Sequence, residues 1–242
     1  MPVRHGCFLG QLVLIIVHAL AAESAAGQDP HPAVCRVSTQ AGTSISYGSG
    51  TLVAVQGSYG IVVTNWHVVH EAPERVSVVF PDGFRSAARV LKMDRVWDLA
   101  ALSIWRPNVS PVLISSKAPR PGETLTIAGY GPGSYRAATG RCTGYVAPMG
   151  NKPSHFVDVS VPARQGDSGG PIFNTRGELA GVLFGSTSST TTGSYSARVR
   201  WFLESVSLPS LDNSDQLAAC PRPDPRAKPK ENPQPPSAPR RI

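Results

Sequence analysis

The sequence predicts an all-β fold, and three observations carry that expectation. Short runs rich in β-branched residues recur from Val34 to about Phe184: Gly50–Val55, Gly60–Thr64, Arg75–Phe80, Ala100–Ile104, Leu125–Ala128, Phe156–Val161 and Leu179–Phe184. Several of them alternate with the period of two that a half-buried strand requires. Turn-forming clusters such as Pro81-Asp82-Gly83 and Gly131-Pro132-Gly133 separate them, and no helical period intervenes. Strands at this spacing without helices between them are expected in a β-barrel or a sandwich.

The elements follow in order. Arg4 and His5 precede an apolar run from Phe8 to Ala22, broken only by Gly10, Gln11 and His18, and small residues come after it. Residues 1–26 therefore read as an export signal, with cleavage sites after Ala21 or Ala26. The run is short for a transmembrane helix, so the chain is expected to be secreted or periplasmic, with no stable membrane insertion once the signal is removed. Residues 27–34 are a polar lead-in, and the folded unit spans 34–206. Its first β half covers about 34–110. Residues 111–122, with three prolines and no good strand, connect it to a second half over about 123–195. One helical pattern follows at 197–206, with Val199, Phe202, Leu203 and Val206 on one face and Arg198 and Arg200 pointing elsewhere. Residues 207–242 form a tail. Eight of the 22 residues after Cys220 are proline and almost none is apolar, a composition that cannot bury enough surface to offset ordering entropy, so a disordered, polyproline-like segment is expected.

Charge and cysteine usage exclude several function classes. The formal charge is +7, of which residues 221–242 carry +4. The +3 left for the other 220 residues forms no dense stripe, which argues for a solvated basic tail and against a nucleic-acid face. Cys7 departs with the signal, leaving Cys35, Cys142 and Cys220. Three cysteines in an oxidising compartment permit one disulfide among three pairings, with one thiol left over. No two have metal-ligand spacing, so neither a metal nor any other cofactor is expected.

The stretch Gln165-Gly166-Asp167-Ser168-Gly169-Gly170-Pro171 carries the chemistry. A nucleophilic serine needs an exposed hydroxyl and backbone N–H donors close to the carbonyl it attacks, and flanking glycines allow both. Ordinary turns also use Gly, Asp and Ser, but they rarely need this order. The string contains the Gly-x-Ser-x-Gly of α/β-hydrolases, whose triad runs Ser, acid, His. The six histidines lie at 5, 18, 31, 67, 70 and 155, none after Ser168, so that reading fails. The base must lie upstream. His67 directly follows the strand ending in Val62-Val63-Thr64-Asn65-Trp66, where a strand end can present its ring to a cleft. His70, three residues on, has no comparable context and is given no role, and His155 is expected to face solvent. The acid is Asp98, heading the apolar run Leu99–Leu102. Buried without a partner it would be costly; bonded to an imidazole Nδ1–H it fixes the tautomer a general base needs. Asp82 and Asp94 read as turn residues.

Together these segments resemble the trypsin-like peptidase family, above all its bacterial HtrA-like branch. The resemblance rests on Gly48-Ser49-Gly50, Thr64-Asn65-Trp66-His67-Val68-Val69, Asp98-Leu99-Ala100 and Gln165 through Pro171, and it spans about Val34 to Val206. It implies a chymotrypsin-like fold of two antiparallel six-stranded β-barrels with a C-terminal helix. It also implies secreted serine endopeptidase activity on polypeptide substrates through an acyl-enzyme. Ser168 would attack, His67 would shuttle the proton, Asp98 would orient His67, and the N–H groups of Gly166 and Ser168 would hold the oxyanion.

There are departures from the family pattern. No PDZ-like region follows the peptidase unit. No Ile-Val-Gly-Gly start follows a basic cleavage site, so activation through Asp167 pairing with a new N-terminus is unsupported. The family's primary pocket would here be walled by Pro162, Ala163, Arg164 and Gln165 on one side and Leu183, Phe184 and Gly185 on the other. That set lacks the acid of trypsin-like enzymes, and small or medium apolar P1 residues are expected. An acidic preference is the competing outcome if Arg164 or His155 turns inward. The rival function is a catalytically silent protease fold used as a binding module. It would need a defect in the triad or the glycines, and the sequence has none.

Overall fold

In the computed structural model the described residues are 28–147 and 155–206. Their twelve strands close into two antiparallel barrels of six. The export signal, the Pro-rich tail, Cys7 and Cys220 lie outside the described residues.

The first barrel comprises β1 (Val34–Ala41), β2 (Ser44–Gln56), β3 (Tyr59–Thr64), β4 (Val76–Val79), β5 (Arg85–Asp94) and β6 (Leu99–Trp105), in the order β1-β2-β3-β6-β5-β4. The β1–β4 pair closes it, with Val37 opposite Val78. The second comprises β7 (Thr124–Gly129), β8 (Arg136–Val146), β9 (Phe156–Val159), β10 (Pro171–Phe173), β11 (Leu179–Ser186) and β12 (Thr191–Tyr195), in the order β10-β11-β12-β9-β8-β7. Closure leaves neither sheet an unpaired edge.

Burial explains why these sequences form these strands. Every residue of β3 is buried, and so are the first six of β6, so the two apolar runs pair at the centre of the first barrel with Val62 opposite Leu102. Leu125, Ile127, Val157, Val159, Ile172 and Leu183 fill the second barrel. Fully burying each such side chain contributes roughly 1.5–3 kcal/mol. A third apolar region, with Ala128, Phe173, Leu179, Val182, Val199 and Phe202, is continuous with the core of the first barrel and joins the two.

The late helix is α2 (Ser196–Glu204), two residues shorter at its C-terminal end than the sequence pattern suggests. The Lys92 ammonium of β5 donates to the Phe202 carbonyl (2.8 Å) and the Ser205 hydroxyl (2.6 Å), consuming an acceptor the helix end exposes. Val199 and Phe202 are buried. Arg198 lies over the Trp97 ring at 4.0 Å, and Arg200 donates to the Ser115 carbonyl. A one-turn helix, α1 (Trp66–Val69), was not foreseen, because four residues are too few to show a helical period. Cys35 and Cys142 are both buried and free, one in each barrel, so the Cys35–Cys142 pairing is not formed.

Candidate active site

The segment from β3 into α1 fixes His67. Asn65, fully buried, precedes the helix in extended conformation and makes no side-chain cap, because its side-chain amide donates instead to the Asp98 carbonyl at 2.7 Å. His67 then sits on the exposed side of α1 while Val68 and Val69 face the core. The His70 ring stacks on Trp66 with centroids 4.0 Å apart, and its Nδ1 lies 3.2 Å from the His67 carbonyl. That histidine, given no role from sequence, buttresses the turn that carries His67. The signal available was its i, i+4 spacing from Trp66.

Asp98 stands at the start of β6 with φ +50°, the sole non-glycine residue at positive φ among the described residues. Aspartate tolerates this region better than most side chains, and strain of this kind collects at functional sites. Both carboxylate oxygens serve His67. Oδ1 accepts its backbone N–H at 2.9 Å and Oδ2 lies 2.6 Å from its ring Nδ1. One carboxylate thus sets both the backbone and the ring of the histidine, leaving Nε2 as the free face. Asp82 and Asp94 accept backbone N–H bonds two or three residues on, the work of turn aspartates.

Ser168 comes from the loop between β9 and β10. Its carbonyl accepts the Ser49 N–H from β2 at 2.7 Å, which joins this loop of the second barrel to the first. Gly169 has φ +84°, and a Cβ there would stand 2.2 Å from the Ser49 carbonyl and 2.3 Å from Thr64 Oγ1. Only glycine lets the Ser168 loop close onto the strand end that presents His67. No hydrogen bond joins the His67 ring to the Ser168 hydroxyl in this structure. Neither the Gly166 N–H nor the Ser168 N–H has a protein acceptor among the described residues.

A cleft of about 350 Å³ opens beside Ser168. Ala163, Arg164, Gln165, Leu183, Phe184 and Gly185 all line it, six of the seven residues singled out for a pocket. Pro162 does not; its carbonyl instead accepts from the Arg136 guanidinium at 2.7 Å. Ser186 and Thr187, outside that set, complete the wall. Ser186 Oγ accepts the Ala163 N–H at 3.0 Å and so ties the two walls together. None of the lining residues carries a carboxylate. The Arg164 guanidinium is bound to Asp167, and His155 lies elsewhere, beside Trp97 and over a separate groove with Lys117 and Tyr145. Phe184 meets Phe156 edge to face at 5.1 Å, and Phe156 meets Trp97 at 4.9 Å. These rings run from the cleft to the residue before Asp98.

Comparison with known proteins extends the picture. The family described as the trypsin-like peptidase domain matches residues 48–182. The periplasmic pH-dependent serine endoprotease DegQ of Escherichia coli is 29% identical over 143 residues, covering 56% of this chain and 30% of that protein. The serine protease HTRA1A of Danio rerio is 30% identical over 148 residues, 57% of this chain and again 30% of the relative. The chain thus matches less than a third of the length of these relatives. Among solved structures, the serine endoprotease from Yersinia pestis superposes with a TM-score of 0.62 at 25% identity, over 73% of this chain and 63% of that one. The Rv3671c protease of M. tuberculosis in its active form reaches 0.64 at 22% identity, over 74% of this chain and 83% of that one, a likeness of fold.

Proposed function

Since this chain belongs to the trypsin-like peptidase family, we propose that it is an exported serine endopeptidase of the HtrA type, with His67, Asp98 and Ser168 as its triad. One observation carries the reading. The Asp98 carboxylate engages both the backbone N–H and the ring Nδ1 of His67, an arrangement that spends two charge-assisted bonds on orienting a single imidazole. A structural histidine has no need of it.

The chemistry follows from the geometry. With Nδ1–H held by Asp98, the neutral ring keeps Nε2 free to act as base on the Ser168 hydroxyl. Ser168 Oγ bonds to the scissile carbonyl carbon as its proton passes to Nε2. The carbonyl oxygen becomes an oxyanion, received by the N–H groups of Gly166 and Ser168. Collapse of the adduct breaks the C–N bond, and the imidazolium gives its proton to the leaving amine. Water, deprotonated by the same Nε2, then releases the acyl group from Ser168. Asp98 stays ionised and stabilises the imidazolium while it lasts.

Export to the periplasm or the exterior belongs to the same proposal. The names of two bacterial relatives, DegQ and the periplasmic serine endoprotease DegP of Salmonella typhimurium, support it. No helix among the described residues is long and apolar enough to cross a membrane. The decisive experiment is covalent labelling with a serine-directed fluorophosphonate. The full chain is expected to take up one label at Ser168, and Ser168→Ala none, with its melting temperature unchanged. Equal labelling of the two proteins would overturn the assignment.

A further inference from the structure

Resting on the serine-peptidase reading, we propose that Arg164 is a positioning residue. Its guanidinium holds Asp167, and through it the backbone from Gly166 to Ser168, in the conformation that points two N–H groups at a developing oxyanion.

The loop needs such a device. Gly166 and Gly169 both occupy the left-handed region, at φ +89° and +84°, and glycine-rich backbone has many alternatives of similar energy. Hydrogen bonds fix the successive peptide planes of the loop. The Gly166–Asp167 plane is held at both ends, its carbonyl accepting from Ser49 Oγ (3.0 Å) and its N–H donating to the Arg164 carbonyl (3.0 Å). The Ser168–Gly169 plane is held likewise, by the Ser49 N–H (2.7 Å) and the Leu183 carbonyl (2.9 Å). The Asp167–Ser168 plane between them is held at its carbonyl, which accepts the Gly170 N–H (2.9 Å), and the N–H groups of Gly166 and Ser168 are the two left for substrate. Ser49 also accepts the Tyr130 N–H at 2.9 Å, which fastens the first clamp to the end of β7.

Arg164 supplies the second clamp. The Asp167 side chain is only 3% exposed, and a carboxylate at that depth must be paired. The Arg164 backbone N–H reaches its Oδ2 at 2.8 Å, Nε reaches Oδ2 at 3.3 Å and Nη2 reaches Oδ1 at 3.0 Å. The same Nη2 lies 3.2 Å from the Gly129 carbonyl and 3.0 Å from the Ser134 carbonyl, so the fork is anchored to the β7–β8 turn. Gly131 makes room for it: a Cβ there would stand 2.7 Å from the guanidinium carbon. Arg136 approaches Asp167 only to 3.9 Å. A planar fork can meet two carboxylate oxygens and two carbonyls together, which a lysine ammonium cannot. The charge of Arg164 is therefore spent behind the oxyanion loop, and its contribution to the cleft is steric.

The test compares the full-length wild type with Arg164→Ala and Arg164→Lys, and with Arg176→Ala as a control remote from the loop. Three quantities are read on each: kcat and KM on a fluorogenic peptide with an apolar P1 residue, the end-point stoichiometry of fluorophosphonate labelling, and the inhibition constant of a peptide boronate, which forms a tetrahedral adduct on Ser168. Arg164→Ala is expected to lower kcat by about 10²–10³-fold, the loss of one oxyanion donor, and to weaken the boronate in parallel. KM should change little and labelling should still reach one per chain. Arg164→Lys should lose more than about tenfold in kcat with full labelling, and it carries the test if the alanine variant does not fold. Arg176→Ala should match the wild type. A kcat within threefold of wild type in both Arg164 variants overturns the proposal. So does a loss fully accounted for by a smaller labelled fraction, which is a stability effect alone, and so does a change of P1 preference without loss of kcat, which would put the charge in the cleft. A wild type that takes no label removes the peptidase reading itself, a result distinct from all of these.

Discussion

Replacing Asp98 with asparagine removes a charge while nearly preserving shape, and the size of its effect follows from the site. In the wild type the carboxylate lies 2.6 Å from His67 Nδ1 and 2.9 Å from the His67 backbone nitrogen. The imidazolium formed during attack spreads its charge over the ring, so about 4 Å is a fair mean separation. The His67 side chain is 40% exposed and that of Asp98 16%, which calls for an effective dielectric near 20 rather than that of a dry interior. Two unit charges then attract by about 4 kcal/mol, equivalent to roughly three decades in rate. Asparagine also turns an N–H toward Nδ1, favouring the tautomer in which Nε2 is protonated and cannot act as base. The family's triad template puts the loss at about 10⁴-fold through the wrong tautomer, and the lost attraction acts in the same direction. Steady-state kcat on a fluorogenic peptide, normalised to folded protein by circular dichroism, measures it. An Asp98→Asn enzyme within tenfold of wild type, with an unchanged melting temperature, would refute the assignment of both residues.

Gly169→Ala should lower both stability and kcat, because its Cβ would meet the Ser49 carbonyl and Thr64 Oγ1 at a backbone angle alanine resists. A melting scan should register a loss of about 1–3 kcal/mol, as overpacked sites do, and wild-type stability would contradict the close approach of the two barrels. Cleavage profiling on a peptide library should return small or medium apolar residues at P1, since no carboxylate lines the cleft beside Ser168; a dominant Lys or Arg signal would refute the pocket. At alkaline pH the phenol of Tyr145, donating to the Pro119 carbonyl at 2.7 Å, is pushed up to about 12 by burial. A group raised in the folded state stabilises fully below its ordinary value near 10 and ceases to do so as pH climbs through 12. Melting temperature should therefore fall across that window, and Tyr145→Phe should make the fall shallower; identical curves would contradict the assignment.

The two barrels were legible because their strands are self-announcing. Runs such as Ile61–Thr64 and Leu99–Ile104 are apolar on both faces, a pattern only central strands of a closed sheet can bury. β5 and β8 were harder to read, because Arg89, Lys92, Arg136 and Arg141 interrupt them and their outward faces carry polar groups. The short helix α1 left no periodic trace. At the site, sequence supplied residue types and order but could not say where long side chains go. Arg164 is the instructive case. Its position beside Ser168 leaves open whether its charge enters the pocket or faces solvent, whereas Asp167, three residues on, draws the guanidinium behind the loop. In the sequence Ser49 is only the middle of a glycine-flanked motif, Gly48-Ser49-Gly50. Its four hydrogen bonds to the Gly166, Ser168, Tyr130 and Thr64 positions reach across 117 residues of sequence to Gly166 and further still to Ser168, separations that no local pattern can encode.

That long-range bonding bears on how the site is kept intact. The proposed acid and base, Asp98 and His67, hang from β6 and α1 of the first barrel, and the Ser168 loop hangs from the second. Neither barrel alone holds a complete site. Ser49 joins them at the nucleophile, and the Ser194 hydroxyl of β12 donates to the Trp97 carbonyl at 2.6 Å, joining them again directly before Asp98. Both bonds are made by buried serines, where an unmade partner would cost about 1–3 kcal/mol. Any sliding of one barrel against the other must therefore break buried bonds at the two places where catalytic geometry is set. The interface that stabilises the fold and the interface that would align the proposed triad are the same surface, so loss of docking and loss of alignment should occur together.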